Sequence, residues 1–305
     1  MKYDIIGDIH GHHDALIKLL QKLGYQEIDG YYQHPEGRKV MFLGDFIDRG
    51  PKIRETLQVV KAMWDNGTAE AVMGNHEYNA ICFYLKDKTE GGYLRPHNFK
   101  NIKQHFTTIN QFADFEDEWK IYVEWFMQLP LFIEKENFRV VHACWDDELI
   151  AHLKMITVNN ILPKTVFYES QQAGTKNFEA IERTLKGKET TLPDNMFFLD
   201  KDGHKRTEVR TRWWKNADEI DYNQYFMEHQ PELEGKKIPK GEIRNNNYYE
   251  NDNLPLFFGH YWMDGETSLQ SHNLVCLDYS IAKGGKLVAY HYNGEKELKH
   301  ESLIF

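Results

Sequence analysis

The chain has 305 residues, 41% hydrophobic and 28% charged, a balance that excludes collagen-like, low-complexity and wholly disordered chains. Lys and Arg number 37 against 47 Asp and Glu, a formal charge of −10 that disfavours nonspecific attraction to nucleic acid or anionic lipid, so anionic substrates would need a local positive site. No apolar run nears the roughly 18 residues that span a bilayer, Asp4 and Asp8 come too early for a secretory signal, and Cys82, Cys144 and Cys276 are too scattered for a disulfide framework or a thiolate zinc site. A reducing cytoplasm is the expected setting.

In chain order, Tyr3 to Gly7 reads as a strand and Asp14 to Leu23 as an amphipathic helix, a β-α unit. Lys39 to Leu43 predicts a second strand, Ile53 to Trp64 a helix opened by Pro51, and Ala69 to Met73 a third strand. In open α/β sheets ligands lie outside the carboxyl ends of strands, which places Asp8, Asp45 and Asn75 at one edge. The aromatic-rich helical stretch from about Asn101 to Gln128 reads as core packing rather than a base-stacking surface. Leu131–Glu134 and Phe138–Val141 form a predicted hairpin that ends at His142.

From about residue 146 to 253 the chain turns polar, with a predicted helix over Phe178–Lys186 and a turn at Asp202-Gly203 between Met196–Leu199 and Arg206–Trp214. This stretch reads as an insertion or cap, and Asn245 to Asn253 as a linker. Strand-like runs at Leu256–Phe258, Leu274–Leu277 and Lys286–Tyr290 then supply a second sheet.

The segments Asp8-Ile9-His10, Gly44-Asp45-Phe46-Ile47-Asp48-Arg49-Gly50 and Gly74-Asn75-His76-Glu77 each follow a predicted strand, as do His142 and His260. Singly, each has a bland reading as a helix cap, a solvated salt bridge or a packed histidine. Together they offer oxygen and nitrogen ligands without sulfur, suited to borderline divalent ions. Carboxylates crowded in one loop need a cation to neutralise them, and Arg49 carries a planar fork that fits phosphate oxygens. A pair of bridged ions would use so many ligands and activate a water for attack on phosphorus.

These segments resemble the signatures of the calcineurin-like metallophosphoesterases, and the Asp48-Arg49-Gly50 ending resembles the branch that holds phosphoprotein phosphatases and bacterial symmetrical diadenosine tetraphosphatases. The resemblance covers residues of about 4 to 142 and 255 to 290. It implies a four-layer α/β sandwich of two mixed sheets flanked by helices, a single catalytic domain over 1–305 carrying the insertion at about 146–253. It further implies two divalent metal ions, Mn²⁺ first and Fe²⁺ or Zn²⁺ as alternatives, with Asp8 and His10 on the first, Asp45 bridging, and Asn75, His142 and His260 on the second. His76, oriented by Asp48, would protonate the leaving oxygen, and Arg49 would bind a phosphate oxygen.

The run His142-Ala143-Cys144-Trp145 departs from the two glycines usual after this histidine in the protein phosphatases, and Gly259-His260-Tyr261-Trp262 lacks the second histidine of other branches. In the insertion, Lys201, His204, Lys205, Arg206, Arg210 and Arg212 have no aligned counterpart. Arg212 is the candidate to reach substrate, with Trp213 and Trp214 to clamp a ring; a packed hairpin is the bland alternative. His12, His13, His34, His97 and His105 read as surface or packing residues. The expected activity is hydrolysis of phosphate monoesters on a phosphopeptide, small phosphoester or nucleotide, without a membrane partner. The alternatives are a symmetrical dinucleoside tetraphosphate hydrolase, a nucleic-acid phosphoesterase disfavoured by charge, and a phosphate-recognising module without catalysis.

Overall fold

The apolar runs become strands and the amphipathic runs helices, in the expected order. This computed structural model describes residues 2–87, 91–199 and 203–305. The first half holds β1 (Tyr3–Ile6), α1 (His13–Lys22), β2 (Lys39–Phe42), α2 (Ile53–Asp65), β3 (Ala69–Ala71), α3 (Asn75–Tyr84), α4 (Phe99–Gln111) and α5 (Glu116–Phe126). Then follow β4 (Phe132–Glu134), β5 (Arg139–Val141), α6 (Asp147–Ile156), α7 (Lys164–Glu169), α8 (Lys176–Lys186), β6 (Leu256–Phe258), β7 (Leu274–Cys276), β8 (Ala289–Tyr292) and β9 (Leu303–Ile304).

Two mixed sheets result. One runs β9-β8-β1-β2-β3, with β1, β2 and β3 parallel, β8 antiparallel to β1 and β9 antiparallel to β8; the other runs β7-β6-β5-β4, parallel except for the β4–β5 hairpin. Side chains alternate along each strand as the pleat requires. Tyr3, Ile5, Met41 and Leu43 meet Val140, Phe257, Val275 and Leu277 between the sheets. Their neighbours Ile6, Val40, Phe42, Leu256 and Phe258 face outward into a second core that includes Leu16 and Leu20 of α1, Leu57 and Val60 of α2, and Leu149 and Leu153 of α6. The layers are helix, sheet, sheet, helix, the four-layer sandwich the sequence pointed to.

The stretch from 146 to 253 divides. Helices α6 to α8 bury Leu149, Phe167, Ile181 and Leu185 in the main core. Leu192, Val209, Tyr225, Phe226, Leu233 and Ile238 instead form a cluster of their own. The expected turn at Asp202-Gly203 begins on a residue outside those described; the strands on either side pair antiparallel, Leu199 with Lys205. The aromatic-rich helical stretch also divides: α5 buries Tyr122, Trp125 and Phe126, whereas α4 leaves Phe99 and Phe106 at 82% and 58% exposure and buries His105 and Thr108 instead.

One buried ion pair ties the first strand to the chain's end. Asp4 and Arg38 are joined by Nε–Oδ2 and Nη2–Oδ1 contacts of 2.9 and 3.0 Å. Tyr25 and His291 also hydrogen-bond to the carboxylate, while Arg38 donates to the carbonyls of Tyr3 and Tyr292. Removing one partner strands a charge out of water. Arg38→Met should cost about 3–5 kcal/mol in urea unfolding; a change below about 1 kcal/mol would show that the pair is dispensable.

Candidate metal centre

Parallel register brings the functional loops to one edge. Ile6 lies opposite Phe42 and Phe42 opposite Ala71, so the segments starting at Gly7, Leu43 and Val72 leave the first sheet side by side. In the second sheet Val140 pairs with Phe257, which sends His142 and His260 out together. The two edges are joined directly: His142 Nδ1 meets the Leu43 carbonyl at 2.7 Å, and the His260 amide donates to Asp8 at 3.2 Å.

The loops are held in costly conformations. His10, Asp45, Asp48, Arg49 and His260 all have positive φ, between 46° and 70°, each at a cost of order 1–3 kcal/mol that surrounding bonds must offset. The Asp45 carbonyl accepts from the amides of Ile9 and His10. Beneath it, the fully buried Glu77 accepts from the amides of Asp45, Phe46 and Gly74 at 2.8, 2.9 and 3.1 Å. Burial and the Asp45 charge push the Glu77 pKa up to about 7 in spite of these donors. Gly74 is obligatory, since a Cβ there would lie 2.3 Å from Asp45 Oδ1.

Asp45 stands between two donor groups, His10 with His76 and His142 with His260, the ligand atoms of each group lying within 4.8 Å of one another. His10 Nε2 is 3.5 Å from Asp45 Oδ2, and His142 Nε2 is 3.5 Å from Asp45 Oδ1. Asn75 Oδ1 approaches His142 Nε2 at 3.1 Å and His260 Nδ1 at 2.8 Å. Backbone carbonyls fix the rings: Ile47 accepts from His10 Nδ1 at 2.8 Å, as Leu43 does from His142. In the neutral rings each Nε2 therefore presents a lone pair to the centre, where oxygen lone pairs already converge. Where His142 Nε2 meets Asn75 Oδ1 and Asp45 Oδ1, acceptor faces acceptor, an arrangement that divalent cations resolve, so the residues fit the metals that the donor set implies.

The electrostatics agree. Burial, with Asp278 and Asp45 as neighbours, raises the Asp8 pKa well above the carboxylate range, and burial raises Asp278 too. Burial also pushes up Asp45, but His142, His76 and His10 outweigh it and hold its pKa low. Burial lowers His10 to about 3, with His76 adding to the effect, and burial, His142 and Arg210 take His260 well below its ordinary value. Arg49 faces this acidic group: its Nη1 and Nη2 lie 3.1 Å from the Nε2 atoms of His10 and His76, and its guanidinium stacks on Trp262 at 4.1 Å.

A family model for the calcineurin-like phosphoesterases matches residues 1–261. The chain belongs to that family. Among curated proteins, the bis(5'-nucleosyl)-tetraphosphatase PrpE (asymmetrical) of Halalkalibacterium halodurans is 49% identical over 76 residues, 25% of this chain and 31% of that one. Its namesake in Oceanobacillus iheyensis is 31% identical over 152 residues, 49% of this chain and 59% of that one. The matched stretches thus span from about a third to under two thirds of those relatives' lengths. The solved cold-active protein-tyrosine phosphatase of a psychrophilic Shewanella aligns over 97% of this chain and 80% of its own at 19% identity, with a TM-score of 0.47, a likeness that says nothing of substrate.

In this phosphoesterase His76 Nδ1 lies 2.5 Å from Asp48 Oδ2. One expectation, the ring clamp at Trp213 and Trp214, needs correction. Arg212 donates through Nη1 to the carbonyls of Asn223, Gln224 and Phe226 of the cap, and Arg210, paired with Glu228, has its charge felt at His260. Trp213 and Trp214 are buried against Phe258, with Trp213 Nε1 bonded to the Ala143 carbonyl, so neither can clamp a ring. His105, read as surface or packing, is buried with its Nδ1 2.7 Å from Asp48 Oδ1. Asp278 was missed although it follows an apolar strand, the same signal that marked Asp8 and Asp45. Glu77→Gln sets an amide N–H against the loop's own donors, and should weaken Mn²⁺ binding in calorimetry by about 10- to 100-fold. Unchanged affinity would mean that Glu77 does not shape the centre.

Proposed function

We propose that this phosphoesterase hydrolyses phosphate monoesters through two divalent cations held by Asp8, His10, Asp45, Asn75, His142 and His260. The observation that carries the reading is the single carboxylate of Asp45, 3.5 Å from His10 Nε2 through one oxygen and 3.5 Å from His142 Nε2 through the other, with the His76–Asp48 pair alongside. The cations, when bound, activate water and neutralise phosphate oxygens; Mn²⁺ suits the mixed oxygen and nitrogen set, as do Fe²⁺ and Zn²⁺.

The chain's own groups do the rest. Arg49, fixed on Trp262, offers its planar fork to a phosphate oxygen. Turning its donors onto substrate frees the His76 Nε2 lone pair to take up a proton from solvent, which it then gives to the leaving oxygen while Nδ1 stays bonded to Asp48. The carboxylates of Asp45 and Asp48 raise the His76 pKa against the opposing effect of burial, which suits an acid that must be protonated to act.

The domain reading is one catalytic unit over 1–305 with the insertion at about 146–253, supported by the separate cluster around Tyr225 and Phe226. A cytoplasmic setting is supported by Cys82, Cys144 and Cys276, all buried as free thiols; among the described residues no helix is long and apolar enough to cross a membrane. Substrates with a phosphorylated peptide, small phosphoester or nucleotide follow from the site's chemistry.

A second reading, dinucleoside tetraphosphate hydrolysis, is favoured by the names of the curated relatives, which say asymmetrical where symmetrical cleavage was expected. Incubation of the Mn²⁺-loaded protein with diadenosine tetraphosphate separates the cases: ADP marks symmetrical cleavage, ATP with AMP asymmetrical cleavage, and neither leaves the monoesterase. On a phosphoserine peptide, His76→Asn should lower kcat by about 10²- to 10⁴-fold with metal content unchanged. Turnover at the wild-type rate would remove His76 from the acid role.

A further inference from the structure

Asp48 is gripped from its far side by α4. Its Oδ1 accepts from His105 Nδ1 at 2.7 Å and from the Thr108 hydroxyl at 2.6 Å, which in turn accepts from the Asp48 amide at 3.1 Å. Residues 105 and 108 lie three apart on one helical face and are the buried residues of α4. With Oδ1 engaged twice, Oδ2 is the oxygen turned to His76, at 2.5 Å.

The His105 ring is itself fixed. Phe83 meets it edge-on at 5.4 Å and Trp119 tilts against it at 5.6 Å. Beside it lies a cavity of about 20 Å³ that also borders Asp48, His76, Ala80 and Arg95, large enough for about one water. A histidine needed for packing alone could be replaced by an apolar ring; here Nδ1 is committed to the Asp48 carboxylate. Burial would raise the Asp48 pKa, but His105 first and His76 second keep the carboxylate ionised.

We infer that His105 is a positioning residue, holding the Asp48 carboxylate in the one orientation that aims His76 at the leaving oxygen. The inference rests on the acid role proposed above for His76. A carboxylate free to rotate would let the imidazole swing, and misplacement of a reacting group by about 1 Å can cost about 10²-fold in rate. Asp48 needs the restraint because its own backbone, at φ 66°, is strained and could relax by turning the side chain away.

The test uses two polar replacements that should both fold. His105→Asn keeps an N–H donor at the place of Nδ1, whereas His105→Gln keeps a polar atom only at the place of Nε2. Hydrolysis of phenyl phosphate, with its poor leaving group, and of p-nitrophenyl phosphate, with a good one, is followed on the Mn²⁺-loaded protein, with His76→Asn run alongside. Help from an acid matters most for the poor leaving group. His105→Gln should therefore lower kcat for phenyl phosphate by about 10²-fold, with a smaller loss on p-nitrophenyl phosphate and KM unchanged, and His105→Asn should restore both. Equal losses on the two substrates, wild-type rates in His105→Gln, or an Asn variant as slow as the Gln one would overturn the positioning role. If His76→Asn also fails to discriminate between the substrates, the acid reading falls with it; if His76→Asn discriminates and His105→Gln does not, the positioning role alone falls.

Discussion

Three carboxylates, Asp8, Asp45 and Asp278, are buried at the meeting edge of two sheets, and the rest of the centre answers to that constraint. Anions at low dielectric repel unless opposite charge or donors stand against them. Arg49 supplies one cation, backbone amides of His76, His260, Trp262 and Ser280 donate to the carboxylates, and the His10 and His142 rings are turned so that lone pairs, not protons, face Asp45. What remains uncompensated is the place for divalent ions. In a chain of net charge −10, this is also how a phosphate would meet a positive field that the surface at large does not offer.

Such a centre must be rigid before any ligand arrives. His10, Asp45, Asp48, Arg49, His260, Trp262 and Ser280 all hold left-handed backbone, which a loop adopts only if its surroundings over-determine it. Glu77 braces the Asp45 loop from below, glycines leave room where chains touch, and α4 braces Asp48 from the side. The strand register does the coarse placement and these braces do the fine one. Stability is spent at the site and recovered in the cores on both faces of the sheets.

Much of this was legible in the sequence because each ligand follows a short apolar run. Asp8, Asp45, Asn75, His142 and His260 were found by that rule, and the structure brings them to one place. Asp278 obeys the same rule and was passed over, because Tyr279 and Ser280 beside it complete no motif. His105 and Thr108 could not be placed, since only tertiary packing brings α4 against the loop that holds Asp48. The aromatic content of α4 misled in the other direction, suggesting core where Phe99 and Phe106 face solvent. Arg210 and Arg212, two apart, look alike in sequence; the strand ends at Arg210, and the chain's turn beyond it sends Arg212 to the carbonyls of the cap.

The central claim is that the edge is built for two cations sharing Asp45. Stripping the protein with chelator, titrating it with Mn²⁺ and counting tightly bound equivalents by equilibrium dialysis tests this without reference to any substrate. The account predicts two equivalents for the wild type, with a rise in Tm as they bind, and loss of tight binding in Asp45→Asn. No tight uptake by the wild type, or uptake undiminished in Asp45→Asn, would contradict it.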